Sequence, residues 1–224
     1  MLTRREWLAR TGALAGVLAI HRPVAAQAGV LRLYIARHGE TDWNVQKKVT
    51  GTTDVPLNAT GRAQASMLHD TLRGITLDAV YCSTLMRSIE TARVAVPTMM
   101  ATRLADLQEQ NQGRFQGERN DTPEFLRRHA DPDDTLDGGE SLNQLTARVR
   151  RALDRIRNEH PSGNVLSVAH QITNKMILRV LLELDVNKAF AIDQRNDEVY
   201  LVELQEGVKP RLWKLIRDGN LGDL

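Results

Sequence analysis

Two guanidiniums and two imidazoles stand where short apolar runs of the chain end. Arg37 and His38 follow Val30 to Ala36, Arg87 comes shortly after Leu77 to Cys82, and His170 directly follows Asn164 to Ala169. Converging on one crevice, these side chains would form a small cationic pocket whose natural guest is phosphate. Arginine presents paired N–H donors that match phosphate oxygens, and such charge-assisted bonds are stronger than neutral ones. Flanking positive charge also favours the neutral form of His38, which keeps a ring nitrogen with a free lone pair. A neutral imidazole held in place is a competent nucleophile toward phosphorus.

The elements that must position these groups can be read from hydrophobic periodicity. Val30 to Ala36 (VLRLYIA) is short, apolar and β-rich, and it ends abruptly in Arg37-His38-Gly39-Glu40-Thr41, as a strand delivering a loop does. After the turn-rich stretch holding Gly51, Asp54, Pro56 and Asn58, Ala59 to Arg73 carries Ala65, Leu68 and Leu72 at helical spacing. Leu77 to Cys82 reads as a second strand, and a helix from Thr84 to Val96 is ended by Pro97. Gly113 and Gly117 mark a loop between Leu107 and Arg119, followed by a short helix from Pro123 to His129. Ser141 caps a long helix with the stripe Leu142, Leu145, Val149, Leu153 and Ile156, stopped by Pro161. Asn164 to Ala169 is a third strand feeding a helix from Gln171 to Leu184, and Glu198 to Leu204 and Arg211 to Ile216 form a closing strand pair. This alternation predicts an α/β three-layer sandwich, a mostly parallel sheet with helices on both faces. In such sheets ligands bind beyond the carboxyl ends of the strands, where Arg37, His38, Arg87 and His170 fall.

Arg37-His38-Gly39-Glu40-Thr41-Asp42-Trp43-Asn44 resembles the opening motif of the histidine phosphatase superfamily, the phosphoglycerate mutase-like group (branch 1). Further segments match in order: Gly51 with Asp54-Val55-Pro56-Leu57 and Gly61; Ser83-Thr84-Leu85-Met86-Arg87 with Thr91-Ala92; Leu107-Gln108-Glu109 with Gly113 and Gly117; Gly138-Gly139-Glu140-Ser141; and Val168-Ala169-His170. The resemblance implies that His38 attacks the phosphoryl group and becomes phosphohistidine, while Arg37, Arg87 and His170 hold the equatorial oxygens. It implies that Glu109 protonates the leaving alcohol and later activates water, a role suited to a carboxyl whose pKa is raised beside a phosphate dianion. Asn44 and the Thr50-Gly51 backbone would complete the substrate contacts. No metal and no cofactor is implied, because the arginines supply the positive charge.

Two positions depart from that pattern. Gln171 follows His170 where this branch usually has Gly, narrowing the space beside the phosphate, and Gln116 replaces a common acid before Gly117 at what reads as a peripheral position. The acid phosphatase and phytase branch would place an Asp after the second His as its acid; Gln171 cannot donate a carboxyl proton, which leaves Glu109. His69, His129 and His160 fall on helix faces or ends and read as solvated, as does the basic run Arg148, Arg150, Arg151, Arg155 and Arg157 on the polar side of the long helix.

The chain of 224 residues is 42% apolar and 26% charged, which excludes disorder, collagen and coiled-coil arrays. It holds 30 Lys and Arg against 28 Asp and Glu; residues 1–28 contain four of the arginines and one acid, so the remainder carries a net charge of −1. A near-neutral body gives no electrostatic case for nucleic-acid binding. In residues 1–28, Thr3-Arg4-Arg5-Glu6-Trp7-Leu8 precedes the apolar run Gly12 to Ile20, then Pro23 and Ala26-Gln27-Ala28, the grammar of an export signal. That run is shorter than the roughly 20 residues a membrane-spanning helix needs. Cleavage is expected after Ala28, leaving residues 29–224 as one catalytic domain, periplasmic or otherwise exported. The Arg4-Arg5 pair resembles the twin-arginine class, so the export machinery is an expected partner; a general secretory signal also predicts export. Cys82 is the only cysteine, which excludes an intramolecular disulfide and every multi-cysteine metal site.

Three functions compete on this reading. The first is an exported, metal-independent phosphomonoester hydrolase acting on a small phosphorylated substrate. A phosphoglycerate mutase would use the same phosphohistidine but return the phosphoryl group to a bound sugar acid. Cofactor-dependent mutases carry a long basic insertion after the acid, whereas here Glu118-Arg119-Asn120 follows Gly117 and a short segment leads to Gly138. The third is a phosphate-binding module without turnover, which leaves the intact set of His38, Glu109 and His170 unexplained. The segment Asn120 to Asp137, placed between Glu109 and the long helix, is the expected lid and specificity element.

Overall fold

The run VLRLYIA is apolar at nearly every position because β1 (Val30–Arg37) is buried on both faces. Leu31, Leu33 and Ile35 enter one core, while Tyr34 and Ala36 enter the other. β1 pairs in parallel with β4 (Gly163–Ala169) on one side, in register from Leu31 opposite Gly163 to Arg37 opposite Ala169. On its other side it pairs antiparallel with β5 (Val199–Gln205). In the computed structural model, which describes residues 29–215 and 221–222, the sheet has seven strands in the order β3-β2-β4-β1-β5-β6-β7. β2 (Ala79–Cys82) and the two-residue edge strand β3 (Thr102–Arg103) complete a parallel half, and β6 (Val208–Leu215) and β7 (Leu221–Gly222) an antiparallel one. The proposed signal at residues 1–28 and the last position of the expected strand ending at Ile216 lie outside the described residues.

Helices cover both faces, as the alternation of elements requires. α2 (Ala59–Thr71) and α3 (Met86–Ala95) bury Leu68, Ala92 and Ala95 against Tyr34, Ala36, Leu166 and Val168. On the other face lies α5 (Leu142–Glu159), whose stripe Leu142, Leu145, Val149, Leu153 and Ile156 is buried against Leu33, Ile35 and Val165. α5 starts where the sequence demands: Ser141 accepts from Gln144 N and Gln144 returns a bond from the Ser141 N–H, a capping box worth about 1 kcal/mol. α6 (Gln171–Leu181) packs beside it.

Some boundaries differ from expectation. α6 stops at Leu181, and α7 (Val186–Ala191), capped by Asp185 on Lys188 N, follows as a separate helix. β3 has only two residues, both exposed, and leaves no apolar signature. The short α1 (Asp42–Val45) and two 3-10 turns (Ala105–Leu107 and Gly113–Phe115) likewise fall below the length at which periodicity registers. α4 (Pro123–His129) has the expected span and forms a small separate core from Val49, Phe115, Phe125 and Leu136.

Three residues expected to be solvated, Arg148, His129 and His160, are half-buried, His160 with its ring edge-on to Tyr81 at 5.8 Å. Arg148 borders the apolar stripe of α5 beside Val149, so its side chain is only 15% exposed and turns inward to an ion pair with Glu140. His129 stacks on Phe125 with ring centroids 4.8 Å apart and meets Phe190 edge-on at 5.4 Å. Burial pushes its pKa from 6.5 to about 4, and Lys175 adds to the effect. The other arginines of the run are exposed as expected.

Candidate active site

The loop leaving β1 is fixed by close backbone contacts. His38 N continues the ladder to Ala169 O at 3.0 Å, and Gly39 N donates to Thr91 Oγ1 at 3.0 Å. A Cβ on Gly39 would lie 2.2 Å from Gly61 O, and one on Gly61 would lie 2.1 Å from Glu40 O, so both must be glycine for the loop to rest on the first turn of α2. Asn58, the α2 N-cap, also donates through Nδ2 to Glu40 Oε1.

His38 is buried, and its Nδ1 stands 2.7 Å from Gly39 O. A carbonyl can only accept, so that contact places the ring proton on Nδ1 and the lone pair on Nε2. Arg87 Nε donates to Nε2 at 3.3 Å. Burial, followed by the charges of Arg87 and Arg37, holds the His38 pKa well below its ordinary 6.5, with the Gly39 bond opposing.

Arg87 enters from the first turn of α3 and is fully buried. Its Nη1 donates to Thr53 O at 2.8 Å and its Nη2 to Gly51 O at 2.7 Å. Burial lowers its pKa to about 10, which leaves it cationic at neutral pH. Arg37 donates through Nη1 to Gln194 O at 3.1 Å, while its buried Nε has no partner among the described residues.

His170 closes the group as the N-terminal residue of the α6 turn, its ring centroid 5.0 Å from that of His38. Ser83 Oγ lies 2.7 Å from His170 Nε2 and already accepts from Leu85 N. The hydroxyl keeps both a hydrogen and a second lone pair for Nε2, so this contact fits either tautomer, while Nδ1 is a buried atom without a partner among the described residues. Burial and then Arg87 depress the His170 pKa well below 6.5.

Glu109 is placed against the same helix end. Its Oε1 accepts from Gln110 N at 3.0 Å and from Thr173 N and Oγ1, each at 3.1 Å; its Oε2 accepts from Ile172 N at 3.2 Å. Glu109 thereby takes up free N–H groups at the N-terminus of α6. The acid thus sits within one helical turn of His170.

The remaining expected residues are arranged less directly. Gly51 is tied to the centre through Arg87, and its φ of +52° with Gln116 Oε1 pressed against it calls for glycine. Asn44 Oδ1 is engaged in the α1 cap, accepting from Thr41 N and Oγ1, and Thr50 Oγ1 donates to Lys48 O; neither bonds the His38 group among the described residues. Gln171 donates to Asp193 Oδ1 at 3.1 Å. Gln116, expected to be peripheral, is a strut: its Oε1 accepts from Thr52 N and Oγ1 at 2.7 and 3.0 Å, between the carbonyls that receive Arg87.

Several supporting residues carry no signal in the sequence. Gln194 O receives Arg37, and Asn196 Nδ2 donates to His38 O, from a loop more than 150 positions away in the chain. Ser83 and Thr91 lie inside recognised segments, but only the fold shows what they hold.

Comparison with known proteins identifies the family. The family model described as "Histidine phosphatase superfamily (branch 1)" matches residues 33–215. Over 138 residues the chain is 34% identical to the uncharacterized phosphatase PhoE of Bacillus subtilis, covering 61% of this chain and 69% of that protein. Over 189 residues it is 29% identical to the probable phosphoglycerate mutase GpmB of Shigella boydii, covering 80% and 87%. Among solved structures, the alpha-ribazole phosphatase of Shigella flexneri superposes with a TM-score of 0.73 at 24% identity, over 87% of this chain and 100% of the other. A mycobacterial glucosyl-3-phosphoglycerate phosphatase gives 0.74 at 24%, over 82% and 97%, and both likenesses speak to the fold. The chain belongs to the histidine phosphatase superfamily, branch 1.

Proposed function

We propose that this protein is an exported, metal-independent phosphomonoester hydrolase that works through a phosphohistidine on His38. The observation that carries the reading is the orientation of His38: Nδ1 spends its proton on Gly39 O, and the Nε2 lone pair is left beside Arg87. In the first step Nε2 attacks phosphorus in line, the P–O bond to the alcohol breaks, and Glu109 gives that oxygen its proton. Arg37, Arg87 and His170 hold the equatorial oxygens, with the unpartnered Arg37 Nε and His170 Nδ1 among the donors, His170 in the tautomer in which Ser83 Oγ donates to Nε2. Each such donor is commonly worth on the order of 100-fold in rate. In the second step Glu109 takes a proton from water, which attacks the phosphohistidine and releases phosphate and free His38. Asn44 and the Thr50-Gly51 backbone would line the substrate side.

A mutase reading rests on the similarity to GpmB and uses the same first step, after which a sugar acid replaces water. The short stretch between Gly117 and Gly138 favours hydrolysis, since it lacks a long basic insertion. Export, and with it a periplasmic site of action, rests on the Arg4-Arg5 pair and the apolar run ending at Ile20.

The test is turnover of a phosphomonoester panel in EDTA by the purified protein and by His38→Ala. EDTA-resistant release of phosphate, lost in the variant, supports the hydrolase; a folded wild-type protein with no turnover refutes it, and activity surviving in the variant means another nucleophile. Export is checked by cell fractionation of the full chain beside an Arg4→Lys/Arg5→Lys variant; retention of the wild type in the cytoplasm refutes it.

A further inference from the structure

We propose that Arg148, paired with Glu140, is a positioning residue that sets Glu109 for proton delivery to the leaving group; this rests on the role of Glu109 proposed above. The side chain of Glu109 is held by α6, but its backbone lies in an irregular stretch after the 3-10 turn Ala105–Leu107, with no sheet or long helix of its own. Arg148 supplies the missing frame. Its Nη1 donates to Asp106 O and Gln108 O at 3.0 Å each and to Ala105 O at 3.3 Å, and its Nη2 reaches Glu109 O at 3.4 Å. Two hydrogens on Nη1 serve three carbonyls, so the longest of these bonds is a shared one.

The guanidinium is itself locked by Glu140, which accepts from Nε at 2.9 Å and from Nη2 at 2.7 Å in a two-point fork. The pair is mostly buried, with side-chain exposures of 15% and 17%. Glu140 also grips the far side of the same stretch through its backbone: its N–H donates to Asn111 O and its carbonyl accepts from Gln110 Nε2, each at 2.7 Å. Residues 105 to 111 are thereby bound on both flanks of Glu109 to the start of α5, whose apolar stripe is buried in the core of that face. Lysine, with a point charge on a flexible stem, cannot reproduce a fork and a carbonyl cradle together.

The experiment compares kcat/KM on two esters, 4-nitrophenyl phosphate, whose leaving group departs without a proton, and β-glycerophosphate, whose alkoxide needs one. Because kcat/KM reports only through departure of the leaving group, the later attack of water does not enter. Glu109→Gln is expected to lose roughly 100-fold on the alkyl ester and far less on the aryl ester. Arg148→Lys should show the same asymmetry at smaller size, roughly 10-fold on the alkyl ester against 2- to 3-fold on the aryl ester, and should add nothing on top of Glu109→Gln. Glu140→Asp, which keeps the ion pair and shortens the fork, is the second variant and should behave alike. Equal losses on both esters, or losses that multiply with Glu109→Gln, would overturn the positioning role while leaving the hydrolase intact. Wild-type protein without turnover on either ester would overturn both.

Discussion

Arg87 Nε points at His38 Nε2 from 3.3 Å, so in the proposed mechanism the group that neutralises the phosphate also covers the lone pair that attacks it. Three of the five guanidinium hydrogens are used, one each on His38, Thr53 O and Gly51 O, which leaves two free on the Nη atoms. An incoming phosphate can take those two and then the Nε hydrogen, releasing Nε2 for attack as the oxygens become seated. In the proposed mechanism, binding and nucleophile release are thus one event.

The electrostatics of His38 set the pH dependence. Its folded pKa lies well below 6.5, so the nucleophile stays neutral as pH falls through the range where an ordinary imidazole would be protonated. Once the substrate's own second ionisation is allowed for, kcat/KM on 4-nitrophenyl phosphate, whose leaving group needs no proton from Glu109, should stay flat between pH 7 and 5. A limb of unit slope centred at an ordinary imidazole pKa, in the plot of log kcat/KM against pH, would show that His38 is not shielded.

Replacing Arg87 by lysine keeps a charge and loses the geometry. One ammonium cannot serve Thr53 O, Gly51 O and a phosphate together, so kcat/KM should fall by on the order of 100-fold or more. Two carbonyls left without their donor should also cost about 1 to 3 kcal/mol each in denaturant unfolding. A near-normal Arg87→Lys enzyme would remove Arg87 from the phosphate-holding set.

The strand ends were legible because burial on both faces turns β1 and β4 into continuous apolar runs, so Arg37, His38 and His170 announce themselves as the first polar residues after them. Arg148 reads as solvated because helical spacing puts it at the border of the stripe but does not show that Glu140 and the carbonyls of Asp106 and Gln108 stand beside it. Gln194 and Asn196 were invisible for a different reason: they act on Arg37 and His38 through a backbone carbonyl and a single amide across the width of the fold. His129 reads as a helix-end surface residue, and only the packing of Phe125 and Phe190 around it makes it half-buried.

The contact between the Gly39 loop and α2 predicts a steric lesion. In Gly61→Ala the new Cβ would stand 2.1 Å from Glu40 O and 2.7 Å from Glu40 N, backbone atoms that have little room to yield. Stability should drop by about 1 to 3 kcal/mol, read from the denaturation midpoint. Activity should fall with it, since Glu40 lies two positions from His38. Full activity and an unchanged midpoint in Gly61→Ala would mean that the loop is not pressed on the helix.

His129 makes the fold sensitive to acid. Its pKa is about 4 in the folded state and near 6.5 when unfolded, so between those values the unfolded chain binds a proton that the folded chain refuses. Stability is therefore intact above pH 6.5, is lost progressively as pH falls toward 4, and loses no more from this residue below that, a total of roughly 3 kcal/mol. His38 and His170 act with the same sign, so the residue's own share must come from a difference. His129→Gln, which keeps a donor for Gln110 Oε1, should be less stable at pH 7 through loss of its stack on Phe125, yet its unfolding free energy should fall less steeply between pH 6.5 and 4. Parallel curves for the two proteins would show that His129 titrates equally in both states and is not enclosed as the packing around it indicates.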